Sequence, residues 1–185
     1  MEKQLSMSDL SFRGMSLWLR LRERFRDLRA ELVTNGLEAG QVVLDFGCGI
    51  GSYTIPTAQI VGDEGLVYAL DMHPLAIRAV ERRAQEADLS NVRTILSNGD
   101  TALPDGSVDV VLLYDVLHSV PEKQALLAEL CRVLKPGGHL LVKPDHMSRD
   151  ELLDKVYAGN SLSLERERGE SFDFKRLDRA GELAA

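Results

Sequence analysis

The stretch VVLDFGCGIGSYTIP (residues 42–56) decides how the rest of the chain is read. An apolar, β-branched run closes on Asp45, and glycines follow at alternate positions, Gly47, Gly49 and Gly51. Glycine at this density gives up conformational entropy, so the loop must bring bare backbone close to something. Beyond it, Ser52 stands near the start of a segment that can be helical, with Pro56 tolerable only in the first turn. The unit is a strand, a glycine loop and a helix. In open α/β sheets, ligands bind outside the carboxyl ends of the strands.

Working outward, strand and helix alternate. Strands are predicted at 41–46, 65–71, 91–97, 107–114 and 139–144, with helices at 52–61, 73–89, 121–134 and 149–158. Pro74 starts the strongest helix, and Pro136-Gly137-Gly138 stops the third. The strands are nearly continuous apolar runs, which indicates burial on both faces. Parallel strands joined by right-handed helical crossovers make a doubly wound α/β sandwich. Residues 161–177 alternate apolar and polar around Gly169-Glu170 and read as a terminal antiparallel hairpin.

Upstream, Trp18, Leu21, Phe25, Leu28 and Leu32 recur at helical spacing, so residues 16–34 read as an amphipathic helix ended by Asn35-Gly36. The organisation expected is a helical arm or lid over 1–36, one domain over 37–177 and a flexible tail over 178–185. The net charge of −7 argues against general binding to DNA or other polyanions. Residues 1–30 carry seven Lys/Arg against four acids, so any anionic partner has to meet that arm, where peripheral membrane contact is one expectation. Cys48 and Cys131 form no CxxC or Cys/His cluster, and neither a disulfide framework nor a metal site is expected. No signal-peptide core and no bilayer-length apolar run is evident, and a cytoplasmic location is expected.

The loop's ligand can be narrowed by elimination. No Gly-Lys-Ser/Thr follows, which removes a Walker A phosphate loop, and the spacing is GxGxG rather than the dinucleotide GxGxxG. Asp45, two residues before the first glycine, would oppose a pyrophosphate but suits a ligand with a positive charge.

DFGCGIG resembles the first motif of the class I S-adenosylmethionine-dependent methyltransferases. VYALDMHP then supplies Asp71 at the end of the second strand, SNGDTALPDGSVDVVLLYDVLH supplies Asp100 and Asp115, and LCRVLKPGGHLLV resembles the helix–turn–strand that ends such domains. The resemblance covers roughly residues 37–177, and the wording is nearest the type 11, ubiquinone/menaquinone-biosynthesis-like group. It implies a seven-stranded sheet of order 3-2-1-4-5-7-6 with the last strand antiparallel, and S-adenosyl-L-methionine as cofactor. It also implies roles for particular residues. Asp45, Gly47, Cys48 and Gly49 would surround the methionine end, Asp71 would take the ribose hydroxyls, and Met72 would pack on the adenine. Asp100 and Thr101 would meet the adenine edge, and Tyr114 would line the pocket. Asp115 and His118 are the candidate catalytic residues, with His146 behind them, for an acceptor that must lose a proton.

The chain departs from its relatives in having no inserted cap domain, none of the extra cysteines of arsenic-methylating enzymes, and YDVLH where nitrogen-methylating enzymes carry Asn/Asp-Pro-Pro-Tyr/Phe. A small, apolar methyl acceptor is the expectation. Methylation of protein or RNA, a non-catalytic S-adenosylmethionine-binding module and a nucleotide-dependent oxidoreductase stay open as alternatives.

Overall fold

Alternate side chains of the central strand face opposite ways, and both directions are buried, which requires helices on each side. A computed structural model shows this arrangement and describes residues 8, 9, 11, 12, 14, 27–159 and 161–177. The elements run α1 (Leu28–Thr34), β1 (Val42–Phe46), α2 (Thr54–Val61), β2 (Leu66–Asp71), α3 (Pro74–Glu86), β3 (Val92–Leu96) and β4 (Val108–Tyr114). A single 3₁₀ turn (Leu117–Ser119) precedes α4 (Lys123–Val133), β5 (Leu134–Lys143), α5 (Arg149–Tyr157), β6 (Leu162–Arg168) and β7 (Ser171–Arg176). The Trp18, Leu21 and Phe25 part of the expected arm helix and the tail 178–185 lie outside the described residues.

The sheet has the order β3-β2-β1-β4-β5-β7-β6. β1 pairs in parallel with β2 and β4, and only β7 runs antiparallel to its neighbours. Leu44 and Phe46 of β1 join Val111, Leu113, Leu140 and Val142 in one core layer, closed by Leu127 and Leu130 of α4 and Leu152 of α5. Val43 faces the opposite layer with Val67, Val110 and Leu112, closed by Leu32 of α1 and Ala58 and Val61 of α2. The buried Val, Leu and Phe side chains each contribute about 1.5–3 kcal/mol, and the two layers together fix the sandwich.

Several boundaries differ from the sequence reading, most of them by one to three residues, and the start of β5 by five. β5 begins at Leu134 rather than His139, because the Pro-Gly-Gly segment lies extended beside β4 through a register shift between Val108 and Val110. A Cβ on Gly138 would stand 2.9 Å from the Asp109 carbonyl oxygen, so only glycine lets the strands approach there. The helix before it ends one residue early, at Val133. Among the described residues no helix is long and apolar enough to cross a membrane.

The order reverses between β1 and β4, so the loops after these strands diverge and leave a crevice at the carboxyl edge of the sheet. The glycine loop enters it directly from β1.

Candidate functional site

The crevice holds a cavity of about 300 Å³. The glycine loop forms its floor. Gly47 and Cys48 donate their N–H groups to the Leu70 carbonyl at 2.8 and 2.9 Å, which ties the loop to the end of β2. Gly47 has φ +77°, and a Cβ there would sit 2.3 Å from Val116 Cγ2, so this position needs glycine on two counts. Gly49 has nothing within 4 Å of its absent Cβ and borders the cavity, leaving a bare stretch of backbone for a ligand to approach.

Asp71 terminates β2 on the cavity wall, and both its carboxylate oxygens are held by backbone. Gly49 N–H donates to Oδ2 at 2.9 Å and His73 N–H to Oδ1 at 2.8 Å. Each oxygen keeps a second lone pair for a further donor, so the carboxylate is aimed before anything binds. Met72, 42% exposed, and His73 continue the wall. His73 also caps α3, its Nδ1 accepting from Leu75 N–H at 3.2 Å. Phe12 from the arm stacks on the His73 ring at 4.4 Å between centroids and packs on Ile50 and Ala76, so the arm reaches over this end of the cavity.

The remaining sequence-predicted residues divide between the wall and its surroundings. Gly47, Cys48, Gly49, Asp71, Met72, Tyr114 and Asp115 all line the cavity. Burial pushes the Cys48 thiol up, helped by Asp45 and Asp71, so it serves as a small neutral filler. Asp45 stands behind the wall, buried, accepting from Thr54 Oγ1 at 2.6 Å. Its removal from water, opposed by that hydrogen bond and reinforced by the Asp71 charge, raises its pKa to about 7.

Asp100 and Thr101 are not on the wall. The exposed Asp100 side chain accepts from Ala102 N–H at 2.9 Å and shapes its own turn. Thr101 Oγ1 donates to Glu129 on α4 at 2.5 Å, where Arg132 holds the Glu129 carboxyl down at about 2. Ser97 and Asn98, directly after β3, occupy the wall in their place. His118 is exposed, with its ring 5.6 Å from His146 in an edge-to-face pair, and it is not among the described residues that line the cavity. Gly51 packs on Val80 of α3, as a packing glycine should.

Two residues went unread in the sequence. Tyr53 lines the cavity opposite Tyr114, their rings in an edge-on contact at 4.7 Å. Behind them Lys143, at the end of β5, is only 5% exposed, donates to Tyr53 Oη at 3.2 Å and pairs with Glu31 of α1. The available signal was KP ending an otherwise apolar strand, LLVKP, which places an ammonium at the carboxyl edge of the sheet.

The wall is electrostatically one-sided. Asp71 and Asp115 face the cavity, Asp45 lies under it, and no Lys or Arg is among the described wall residues. Such a site favours a cationic ligand and disfavours pyrophosphate. Together with the backbone-held Asp71 carboxylate and the bare glycine backbone, the residues fit S-adenosylmethionine.

Comparison with known proteins agrees. The model of a methyltransferase domain family matches residues 37–176. The ubiquinone/menaquinone biosynthesis C-methyltransferase UbiE of Marinomonas sp. is 33% identical over 138 residues, which are 74% of this chain and 55% of that protein. A demethylmenaquinone methyltransferase of Geobacillus sp. is 35% identical over 106 residues, 57% of this chain and 45% of that one. The chain thus spans about half the length of the curated relatives it matches. A crystal structure of a SAM-dependent methyltransferase from Aquifex aeolicus superposes with a TM-score of 0.71 at 27% identity, covering 80% of this chain and 87% of the other. This chain belongs to the class I S-adenosylmethionine-dependent methyltransferases, in their UbiE-like group.

Proposed function

We propose that the chain transfers the methyl group of S-adenosylmethionine to a small, largely apolar acceptor. The observation that carries this reading is Asp71, fixed on both oxygens by Gly49 and His73 and presented to a cavity with no Lys or Arg among its described wall residues. When bound, the sulfonium supplies a methyl group already activated for in-line displacement. The protein then has to orient the acceptor and keep water out.

In this reading Asp71 accepts the ribose hydroxyls and Met72 covers the adenine face. Gly47 and Gly49 leave room for the methionine end. Asp45, whose pKa lies near neutrality, ionises as the ligand's ammonium approaches. Asp115 borders the acceptor side and is a wall carboxylate able to take a proton. Phe12, stacked on His73, covers the cavity and excludes water, which gives the arm its role as a lid. The names of the quinone-methylating relatives support a ring-shaped acceptor. The Arg20–Arg29 stripe supports collection of that acceptor at an anionic membrane face by a cytoplasmic protein.

The test is calorimetric titration of S-adenosylmethionine. Asp71→Ala removes two hydrogen bonds to a charged acceptor, and Kd should rise about 10–100-fold, corresponding to about 1.4–2.8 kcal/mol. Asp71→Asn, which keeps an acceptor oxygen, should fall between. Equal affinities for all three proteins would remove Asp71 from the site.

A further inference from the structure

Two pieces of backbone hold Asp71: the glycine loop through Gly49 N–H and the start of α3 through His73 N–H. The arm grips the same two pieces. Phe12 stacks on the His73 ring with 16° between planes, and it packs with Ile50, next to Gly49, and with Ala76 of α3. The Phe12 ring is buried and borders the cavity, so it bridges loop and helix on the side where Asp71 stands. Across the cavity, the segment after β4 supplies Val116, Ser119, Val120 and Pro121 to the wall, and none of these is a member of the Phe12 cluster.

The strength of this attachment is what sets it apart. Farther along the arm, α1 is built into the fold, since Leu32 belongs to a core layer and Glu31 pairs with the buried Lys143. Phe12 instead belongs to a cluster separate from both core layers, whose buried members are Phe12, Ile50 and Ala76. Its polar edge is weak as well. His73 Nδ1 accepts from Leu75 N–H, which leaves the ring proton on Nε2, 3.6 Å from the exposed Asp9 carboxylate. Phe12 N–H donates to the Ser8 carbonyl at 2.9 Å, so Asp9 and Phe12 share one turn and both meet His73 from it. A turn held by one small apolar cluster and one exposed carboxylate opens at a free energy far below that of global unfolding.

We infer that Phe12 gates exchange of the methyl donor: the turn bearing Asp9 and Phe12 lifts from His73 to admit or release the adenosyl ligand, then closes over the Asp71 end of the cavity. This rests on the methyl-transfer reading above, in which Asp71 takes the ribose hydroxyls. The gate acts on the donor because its contacts lie on the two segments that hold Asp71. α1 stays seated on the sheet while the turn moves.

A gate and a fixed piece of wall leave different kinetic signatures. A wall residue holds bound ligand, so its loss speeds dissociation alone. A gate stands in the path both ways, so its loss speeds entry and exit together. A turn open about a tenth of the time or less slows both by about tenfold or more. The test is surface plasmon resonance of S-adenosylhomocysteine on the immobilised full chain. Phe12→Ala should raise the association and dissociation rate constants about tenfold each, with Kd kept within about threefold. Phe12→Leu should fall between, and it is read by the same criterion should Phe12→Ala fail to fold. Faster dissociation alone would make Phe12 a fixed part of the wall and overturn the gate. Unchanged rate constants overturn it too, and the methyl-transfer reading survives either result. A wild-type protein that does not bind S-adenosylhomocysteine overturns that reading itself.

Discussion

Asp45 offers the most direct quantitative check on the electrostatics of the site. Its carboxyl has a pKa of about 7 in the folded protein against 3.8 for an unperturbed aspartate. Between those values the folded protein carries one more proton than the unfolded chain, so stability falls as pH rises. The contribution is complete below about pH 4 and has gone above about pH 7. Its ceiling is about 4 kcal/mol at 1.36 kcal/mol per pH unit, and the part falling between pH 5 and pH 8 is about 2–3 kcal/mol. Asp45→Asn keeps an oxygen to accept from Thr54 Oγ1 but cannot ionise. Urea unfolding of both proteins at pH 5, 6, 7 and 8 isolates the residue, since every other titrating group cancels in the difference. The variant should gain on the wild type steadily with pH, by about 2–3 kcal/mol over the range. A difference that stays flat would mean that Asp45 is ionised throughout, and the burial argument fails. Saturating S-adenosylmethionine adds a second reading. If the ligand's ammonium draws the proton off Asp45, the pH slope of the wild type should shrink in its presence.

The loop geometry and the catalytic assignment give two further predictions. Gly47→Ala places a Cβ 2.3 Å from Val116 Cγ2 at a φ of +77°, and the urea midpoint should report a loss of about 1–3 kcal/mol. Adding Val116→Ala removes the clash but not the backbone strain, so it should recover part of that loss and never all of it. His118→Ala should leave turnover within about twofold, because its ring faces His146 and not the cavity. S-adenosylhomocysteine release with an acceptor identified by screening measures it, and a fall of an order of magnitude would return His118 to the mechanism.

The doubly wound sheet was legible because hydrophobic periodicity is a local signal. Unbroken apolar runs such as VVLL and the strong helix after Pro74 each fold as their own patterns dictate. The start of β5 was not legible, since Pro-Gly-Gly reads as a stop while the tertiary approach to β4 turns the same residues into strand. The place of Asp71 on the cavity wall was legible because it directly ends a strand, and strand ends border the crevice. Asp100 and Thr101 stand off the cavity wall for the converse reason. They lie beyond the strand end, where an aspartate satisfies its own turn and a threonine can serve a neighbouring helix. Counting from the last residue of β3 would have picked Ser97 and Asn98. Lys143 was hidden because its meaning depends on Glu31 and Tyr53, more than a hundred and some ninety positions away in the chain.

The Glu31–Lys143 contact joins the arm to the sheet, and this bears on how such a protein could be re-engineered. An arm exchanged for a relative's, in search of a different acceptor, would take Glu31 away and leave an ammonium enclosed among two tyrosine rings. A buried charge deprived of its partner costs about 3–5 kcal/mol, enough to consume much of a domain's net stability. Grafts bounded at residue 36 should therefore fail as folds before they can be judged as catalysts. Transplanting positions 31 and 143 together, as one inherited pair, is the condition under which acceptor choice becomes portable.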